Sequence, residues 1–256
     1  MNNLLLRRRM MMQAGGSPTP PNPDLLLPFY VEDISGSANT LYIKANSSYA
    51  PSFDVEYSTN LINWYQLGTT PSTAGLSLSI PANSRIYLRA ITNAFCSQYD
   101  YNRIYCASAF NVGGNIMSLL WGSAFTGSET QYPNGNATTY VFSSLFNGDT
   151  TLASCEHLML TGDNLPAGVY NNMFRSSGVT TGPTFTSSAL PVYACTNMFR
   201  QCSRLVYLQC LFTSISSGAL SNWMYSVTTT GILQKPSSAT FWNANLIPAN
   251  WTLVDI

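Results

Sequence analysis

Charge is what this sequence has least of. Only 9% of its 256 residues are charged, against roughly 25% in an ordinary soluble domain. The 11 basic and 11 acidic residues cancel, and without Arg7, Arg8 and Arg9 the remainder carries a net charge of −3. Nothing beyond that cluster could line a basic groove, so a nucleic-acid partner is not expected. No window approaches the roughly 20 apolar residues of a membrane span, and no membrane partner is expected. A secretory signal places its charge before a long apolar run. Here three leucines precede the arginines and only three methionines follow, so the expectation is a chain that stays where it is made.

The parts of a catalyst are also scarce. There is one histidine, His157, in "SCEHLML". Alternation along a strand would put Cys155 and His157 on one face, yet a dyad also needs an orienting third group, and none is evident. The expected role of His157 is structural, at the start of a strand and with one polar partner. Asp149, Glu156 and Asp163 fall in separate loops without a repeating carboxylate pair. "VGGN" (112–115) lacks the spacing and the lysine of a phosphate loop. The six cysteines form no C-x-x-C and match no common zinc spacing. Cys96 and Cys106 flank a tyrosine-rich stretch and would suit a hairpin disulfide, but the expectation is six buried thiols packing as small apolar groups. No catalytic residue, cofactor site or metal site is expected, and the chain reads as a non-enzyme.

What the sequence does contain is a hydroxyl- and amide-rich surface over 45% apolar content, enough for sizeable cores. Residues 1–27 form an arm: Leu4, Leu5 and Leu6, then Arg7, Arg8 and Arg9, then Met10, Met11 and Met12, followed by the Pro/Gly/Ser linker "GGSPTPPNP". Over residues 28–109 the pattern has period two. Phe53, Val55 and Tyr57 alternate with Asp54, Glu56 and Ser58, and Ile86, Leu88 and Ala90 alternate with larger or polar neighbours. Such alternation predicts half-buried strands, about six of them, in a small antiparallel β-sandwich. A hairpin turn is predicted near Thr59–Asn63.

From residue 110 to 256 a repeat replaces the alternation. "PAGVYNNMFRSS" begins at Pro166 and "PVYACTNMFRQC" at Pro191, and related apolar-aromatic endings fall at Phe146 and Tyr225. Phe146, Phe174, Phe199 and Tyr225 are 28, 25 and 26 residues apart. Each unit reads as a helical turn, a loop and a short strand. One unit cannot bury its apolar face alone, so neighbours stack. Phe146, Met173, Phe174, Met198, Phe199, Trp223 and Tyr225 are therefore expected in the repeat core. The fold class predicted is mainly β with short helices, a sandwich followed by a repeat solenoid.

"NNMFRSS" (171–177) and above all "TNMFRQCSRLVYL" (196–208) resemble the BspA-type leucine-rich repeat. "GNIMSLLWGSAFTG" (114–127) looks like the entry into such arrays, the segment 231–256 looks like their terminal cap, and "FDVEYSTNLINWYQLG" (53–68) looks like the small β-domain that often precedes them. The resemblance implies proteins of Bacteroidales or of their phages, and a leucine-rich-repeat-like solenoid over residues 110–256. "MNNLLLRRRMMMQ" resembles the leader of virion proteins in crAss-like tailed phages. The implied function is a structural virion component, a head- or tail-fibre subunit. Its arm would anchor to a capsid or other virion protein after assembly in the host cytoplasm. The alternative is a secreted or cell-surface adhesin of the leucine-rich-repeat type. A homo-oligomer, trimer ahead of dimer, is expected from fibre symmetry and the lack of surface charge. Host glycan is a further expected partner, for which Trp64, Tyr65, Tyr99, Tyr101 and Tyr105 offer rings.

Overall fold

A computed structural model describes residues 26–133 and 139–256, so the Leu-Arg-Met block of the arm lies outside the described residues. The first strands are β1 (Tyr30–Asp33), β2 (Asn39–Ala45), β3 (Asp54–Ser58), β4 (Tyr65–Thr69), β5 (Leu76–Ile80), β6 (Arg85–Ala90), β7 (Asn102–Cys106) and β8 (Phe110–Asn115). The period-two pattern produces them as expected. In β6, Ile86, Leu88 and Ala90 are buried while Arg85, Tyr87 and Arg89 are only partly covered. The β3–β4 hairpin turns where predicted, with the Asn60 side chain accepting the N–H groups of Ile62 and Asn63 at 3.0 and 2.9 Å. Strands β5, β2 and β7 form a three-stranded antiparallel sheet. Its Leu41, Ile43 and Ile104 share one core with Val31, Val55, Ile86 and Leu88 of the other strands.

The remaining strands are β9 (Leu152–Leu160), β10 (Thr181–Phe185), β11 (Ala189–Leu190), β12 (Tyr207–Cys210), β13 (Ser214–Ile215), β14 (Thr230–Lys235) and β15 (Asn250–Asp255). A ten-stranded sheet runs β15-β14-β12-β10-β9-β8-β1-β6-β3-β4. Strand β8 is its hinge line. It pairs antiparallel with β1 and parallel with β9, and every pair from β9 to β15 is parallel. The sheet therefore passes the expected boundary at residues 109 and 110 without a break. "VGGN" lies on β8. Gly114 has φ +77°, and a side chain there would collide with the Pro28 carbonyl, so the glycine lets the start of the described chain approach β8.

One expectation about the repeat fails. Its Met-Phe segments are not helical turns, and among the described residues the α-helix is α1 (Ser118–Trp121), followed by a 3-10 turn at Gly122–Ala124. Each segment is instead a ribbon of overlapping tight turns. Left-handed residues recur at every fourth position: Tyr140, Ser144 and Gly148, then Gly168, Asn172 and Ser176, then Tyr193, Asn197 and Gln201, then Gly218, Asn222 and Ser226. Alternate N–H groups close turns within the ribbon, as from Met173 to Tyr170 O and from Arg175 to Asn172 O, at 3.1 Å each. The intervening N–H groups cross to the next ribbon: Asn172 to Thr196 O, Phe174 to Met198 O and Ser176 to Arg200 O, at 3.0, 3.0 and 2.8 Å. A helix would spend every donor internally. This ribbon spends half of them on its neighbour, which locks the stack.

Candidate functional site

The recurring "NMF" is the natural place to begin. Its asparagine is a backbone device. Asn172, Asn197 and Asn222 all stand at left-handed positions with φ of 55°, 54° and 52°, a conformation that asparagine tolerates better than most residues. The Met and Phe that follow Asn172 and Asn197 are buried. Phe146, Phe174 and Phe199 stack face to face, with centroids 5.2 and 5.4 Å apart and planes within 9°. Phe29 packs on the near end at 6.2 Å and Trp223 on the far end at 6.0 Å. Such pairs contribute about 0.5–1.5 kcal/mol each beyond the area they bury.

Six of the seven expected repeat-core residues are in that core, and Tyr225 is not: 57% of it is exposed. In the last ribbon Trp223 takes the methionine place and Met224 the phenylalanine place. Tyr225 therefore succeeds Arg175 and Arg200, on the outside, where the Arg200 guanidinium lies 5.2 Å from its ring centroid. Alignment by aromatic residues misplaced the register by one turn position.

On its outer face the ten-stranded sheet carries two rows of partly covered side chains. Strand register aligns Arg85, Glu32, Asn111, Ser154, Thr181, Tyr207 and Ile232 in the first. Met159, Thr184, Gln209, Gln234 and Val254 form the second. Hydrogen bonds order these rows. The Tyr207 hydroxyl donates to Gln234 Oε1 at 2.6 Å and the Thr184 hydroxyl to Gln209 Oε1 at 3.3 Å. Glu32 and Arg85 pair at 2.8 Å, and Arg85 also covers the Tyr30 ring. Further along, Arg89 pairs with Glu56 at 2.6 Å and lies 4.0 Å from the ring centroid of Trp64. The result is a nearly neutral surface of hydroxyls, amides and rings, suited to polyhydroxylated ligands and offering little to a highly charged one. The sequence reading missed it, although Gln209 and Gln234 recur at the repeat spacing.

The aromatic residues expected to meet a glycan are scattered. Trp64 belongs to the outer face through Arg89. Tyr65 and Tyr99 are exposed, and Tyr105 stacks on Tyr42 at 5.0 Å.

Cys155 and His157 do not share a face. One residue of β8, Val112, opposes two of β9, Cys155 and Glu156, between Asn111↔Ser154 and Gly113↔His157, and this irregularity turns Cys155 into the core while His157 is partly covered. The Cys155 sulfur donates to Thr181 O at 3.3 Å, and burial raises its pKa well above that of an ordinary thiol. It is held as a thiol, not a nucleophilic thiolate. All six cysteines are free and buried. Burial pushes even the Cys202 thiol up to about 11, against hydrogen bonds from Ser177 and Ser176 that lower it.

Two buried carboxylates behave oppositely. Asp33 is raised by burial, yet the Asn83 N–H, the Ser35 hydroxyl and N–H and the Asn39 amide together hold its pKa below the usual value. Asp149 is raised by burial, which outweighs hydrogen bonds from Thr151 and Leu152 and the charge of Arg103. Its Oδ2 has no partner among the described residues. Asp149, Glu156 and Asp163 remain in separate places. Among the described residues no cluster of three His, Cys, Asp or Glu side chains could hold a metal ion, and no helix is long and apolar enough to cross a membrane.

No protein-family model, no curated protein and no solved structure matches this chain.

Proposed function

We propose that the chain is a non-enzymatic structural component of a tailed-phage virion, a head- or tail-fibre subunit whose parallel half is a short leucine-rich-repeat-type solenoid. The observation that carries this reading is the stack of turn ribbons at 25–28-residue spacing, because its two clearest units are the segments that resemble BspA-type repeats. The leader supports the virion assignment by its resemblance to crAss-like virion leaders. Its Leu4–Leu6, Arg7–Arg9 and Met10–Met12 block supplies apolar ends for an irregular groove and guanidinium groups for carboxylates. The described chain starts beside β8, where Asn115 N–H donates to Leu27 O at 2.8 Å. An arm attached there leaves the far end of the parallel half free to point outward from a capsid or other virion protein. The subunit assembles as a trimer, or failing that a dimer, and its neutral outer sheet face adheres to host glycan.

Mass spectrometry of purified particles tests the assignment, which requires the intact chain, Met1-proximal peptides included. Deleting Met1–Gln13 should leave a soluble, folded protein that no longer joins particles; normal incorporation would overturn the anchoring role. The same hydroxyl- and amide-rich face favours one second reading, a cell-surface adhesin of the leucine-rich-repeat type. Glycan binding by a chain absent from all particles would select it.

A further inference from the structure

The ladder that joins the ribbons ends abruptly. In the third ribbon Cys195, Asn197, Phe199 and Gln201 donate their N–H groups to Ala219, Ser221, Trp223 and Tyr225 of the fourth, at 2.7–2.9 Å. The equivalent donors of the fourth ribbon are Leu220, Asn222, Met224 and Ser226, and none of these N–H groups has an acceptor among the described residues. The chain does continue over this end, but it stands off. Trp223 Nε1 reaches Leu246 O at 2.5 Å, and between the ribbon and Asn245–Pro248 an open cavity of about 300 Å³ remains. A row of unmet donors and a space beside it are two separate observations about the same edge.

The geometry points to a docking site for a partner polypeptide, which would lay alternate main-chain carbonyls against Leu220, Asn222, Met224 and Ser226 as a fifth ribbon. Addition of main chain to an open edge is an established mode of peptide recognition. Two features select this occupant. No charged side chain lines the cavity, so an anion would find donors without a counter-charge, whereas neutral peptide carbonyls need none. A second copy of the chain is also disfavoured as the source. Two carbonyls of the edge at the opposite end of the stack are already engaged, Val141 O accepting from Cys96 N–H at 2.7 Å and Leu145 O from Ile104 N–H at 3.0 Å. This inference does not depend on the virion assignment.

The probe is a synthetic peptide of residues 191–203, the native ribbon that meets such donors in the stack, added to the full-length protein. Hydrogen exchange resolved at single amides should first show Leu220, Asn222, Met224 and Ser226 exchanging faster than Cys195, Asn197, Phe199 and Gln201. Saturating peptide should then slow those four by roughly tenfold or more, and a scrambled peptide should not. Asn245→Trp, at an exposed position of the cavity wall, should abolish peptide protection without changing the melting temperature. Absence of protection by the peptide, or protection that persists in Asn245→Trp, would overturn the proposal. Equal protection by inorganic phosphate alone, or by raising the protein concentration alone, would also overturn it by assigning the edge to an anion or to a second copy.

Discussion

The two halves of the ten-stranded sheet satisfy their backbones in different ways. On the antiparallel side, β3 and β4 form a hairpin while β1 and β6 join residues as distant as Glu32 and Arg85, and a side chain's face follows from odd or even position. On the parallel side each strand and each ribbon is completed by the unit about 25 residues further on, from Asn172 to Thr196 and from Asn197 to Ser221. The first arrangement tolerates surface change because alternation within each strand sets which face a side chain takes. The second transmits damage, because a unit that slips leaves donors unmet on one neighbour and acceptors on the other. Continuity through β8 makes the extent of that transmission measurable.

The largest effect is expected at Phe199, which is fully buried between Phe174 and Trp223. Phe199→Ala should cost about 3–5 kcal/mol. If stability on the parallel side is a sum over neighbours, amides of β10, β12 and β14 should exchange faster while those of β3 and β6 keep their protection. Equal acceleration in all ten strands would show that the halves unfold as one unit despite their different construction.

Backbone conformation comes next. Asn197 at φ 54° can be tested without touching the core. Asn197→Val places a β-branched residue in the left-handed region and should cost about 1–3 kcal/mol, whereas Asn197→Gly should stay within about 1 kcal/mol of the parent. Urea midpoints measure both. A comparable change at Arg85, on a regular antiparallel strand, should not distinguish valine from glycine in this direction. If Val and Gly at position 197 were equally stable, the account of the repeated asparagine would fail.

Acid should separate the halves again. The Asp33 pKa is depressed below its unfolded value of 3.8, so its contribution is present above that pH and is lost as pH falls through the folded value. The Asp149 pKa is raised above 3.8, so this carboxyl costs stability as pH rises past 3.8 and through its folded value. Asp33→Asn should therefore destabilise at pH 7, and Asp149→Asn, which keeps an acceptor for Thr151, should stabilise there. Both differences should shrink below the lower of the two pKa values in each case. Denaturant midpoints across pH 3–7 that moved in the same direction for the two variants would contradict this contrast.

The legibility of the two halves differs for the same physical reason. Alternation in Phe53–Ser58 and Arg85–Ala90 revealed strands and their buried faces because a strand's period is local and fixed. The stacking of Phe146, Phe174 and Phe199 was also readable, since only core demands the same aromatic at one spacing. The conformation of the ribbon was not. "NNMF" suits a helix as well as a chain of turns until the partner carbonyls 24 residues away are known. The left-handed role of Asn172, Asn197 and Asn222 left a trace in the recurring asparagine, yet Ser144 fills the same place and blurs it. On the outer face, Tyr207 and Gln234 meet only through parallel register, and their identities alone do not announce a surface. The bulge that separates Cys155 from His157 depends on pairing with β8 and leaves no local sign.

The smallest effect tests the register error directly. Tyr225 is an aromatic residue 26 positions after Phe199, and sequence spacing alone would make it a core anchor. The ribbon places it instead at the position of Arg175 and Arg200, more than half exposed, with the Arg200 guanidinium against its ring. Its loss should remove a cation–π contact of about 0.5–1 kcal/mol and little else. Trp223, buried beside Phe199 and Trp242 and bonded to Leu246 O, should cost about 3–5 kcal/mol on replacement by alanine. Thermal or urea unfolding of Tyr225→Ala and Trp223→Ala under identical conditions should therefore differ severalfold. Arg200→Ala should be as mild as Tyr225→Ala if the two act through one exposed contact, and their double variant should cost less than the sum of the singles. A Tyr225→Ala penalty matching that of Trp223→Ala would restore the aromatic spacing as the true register and displace the ribbon alignment.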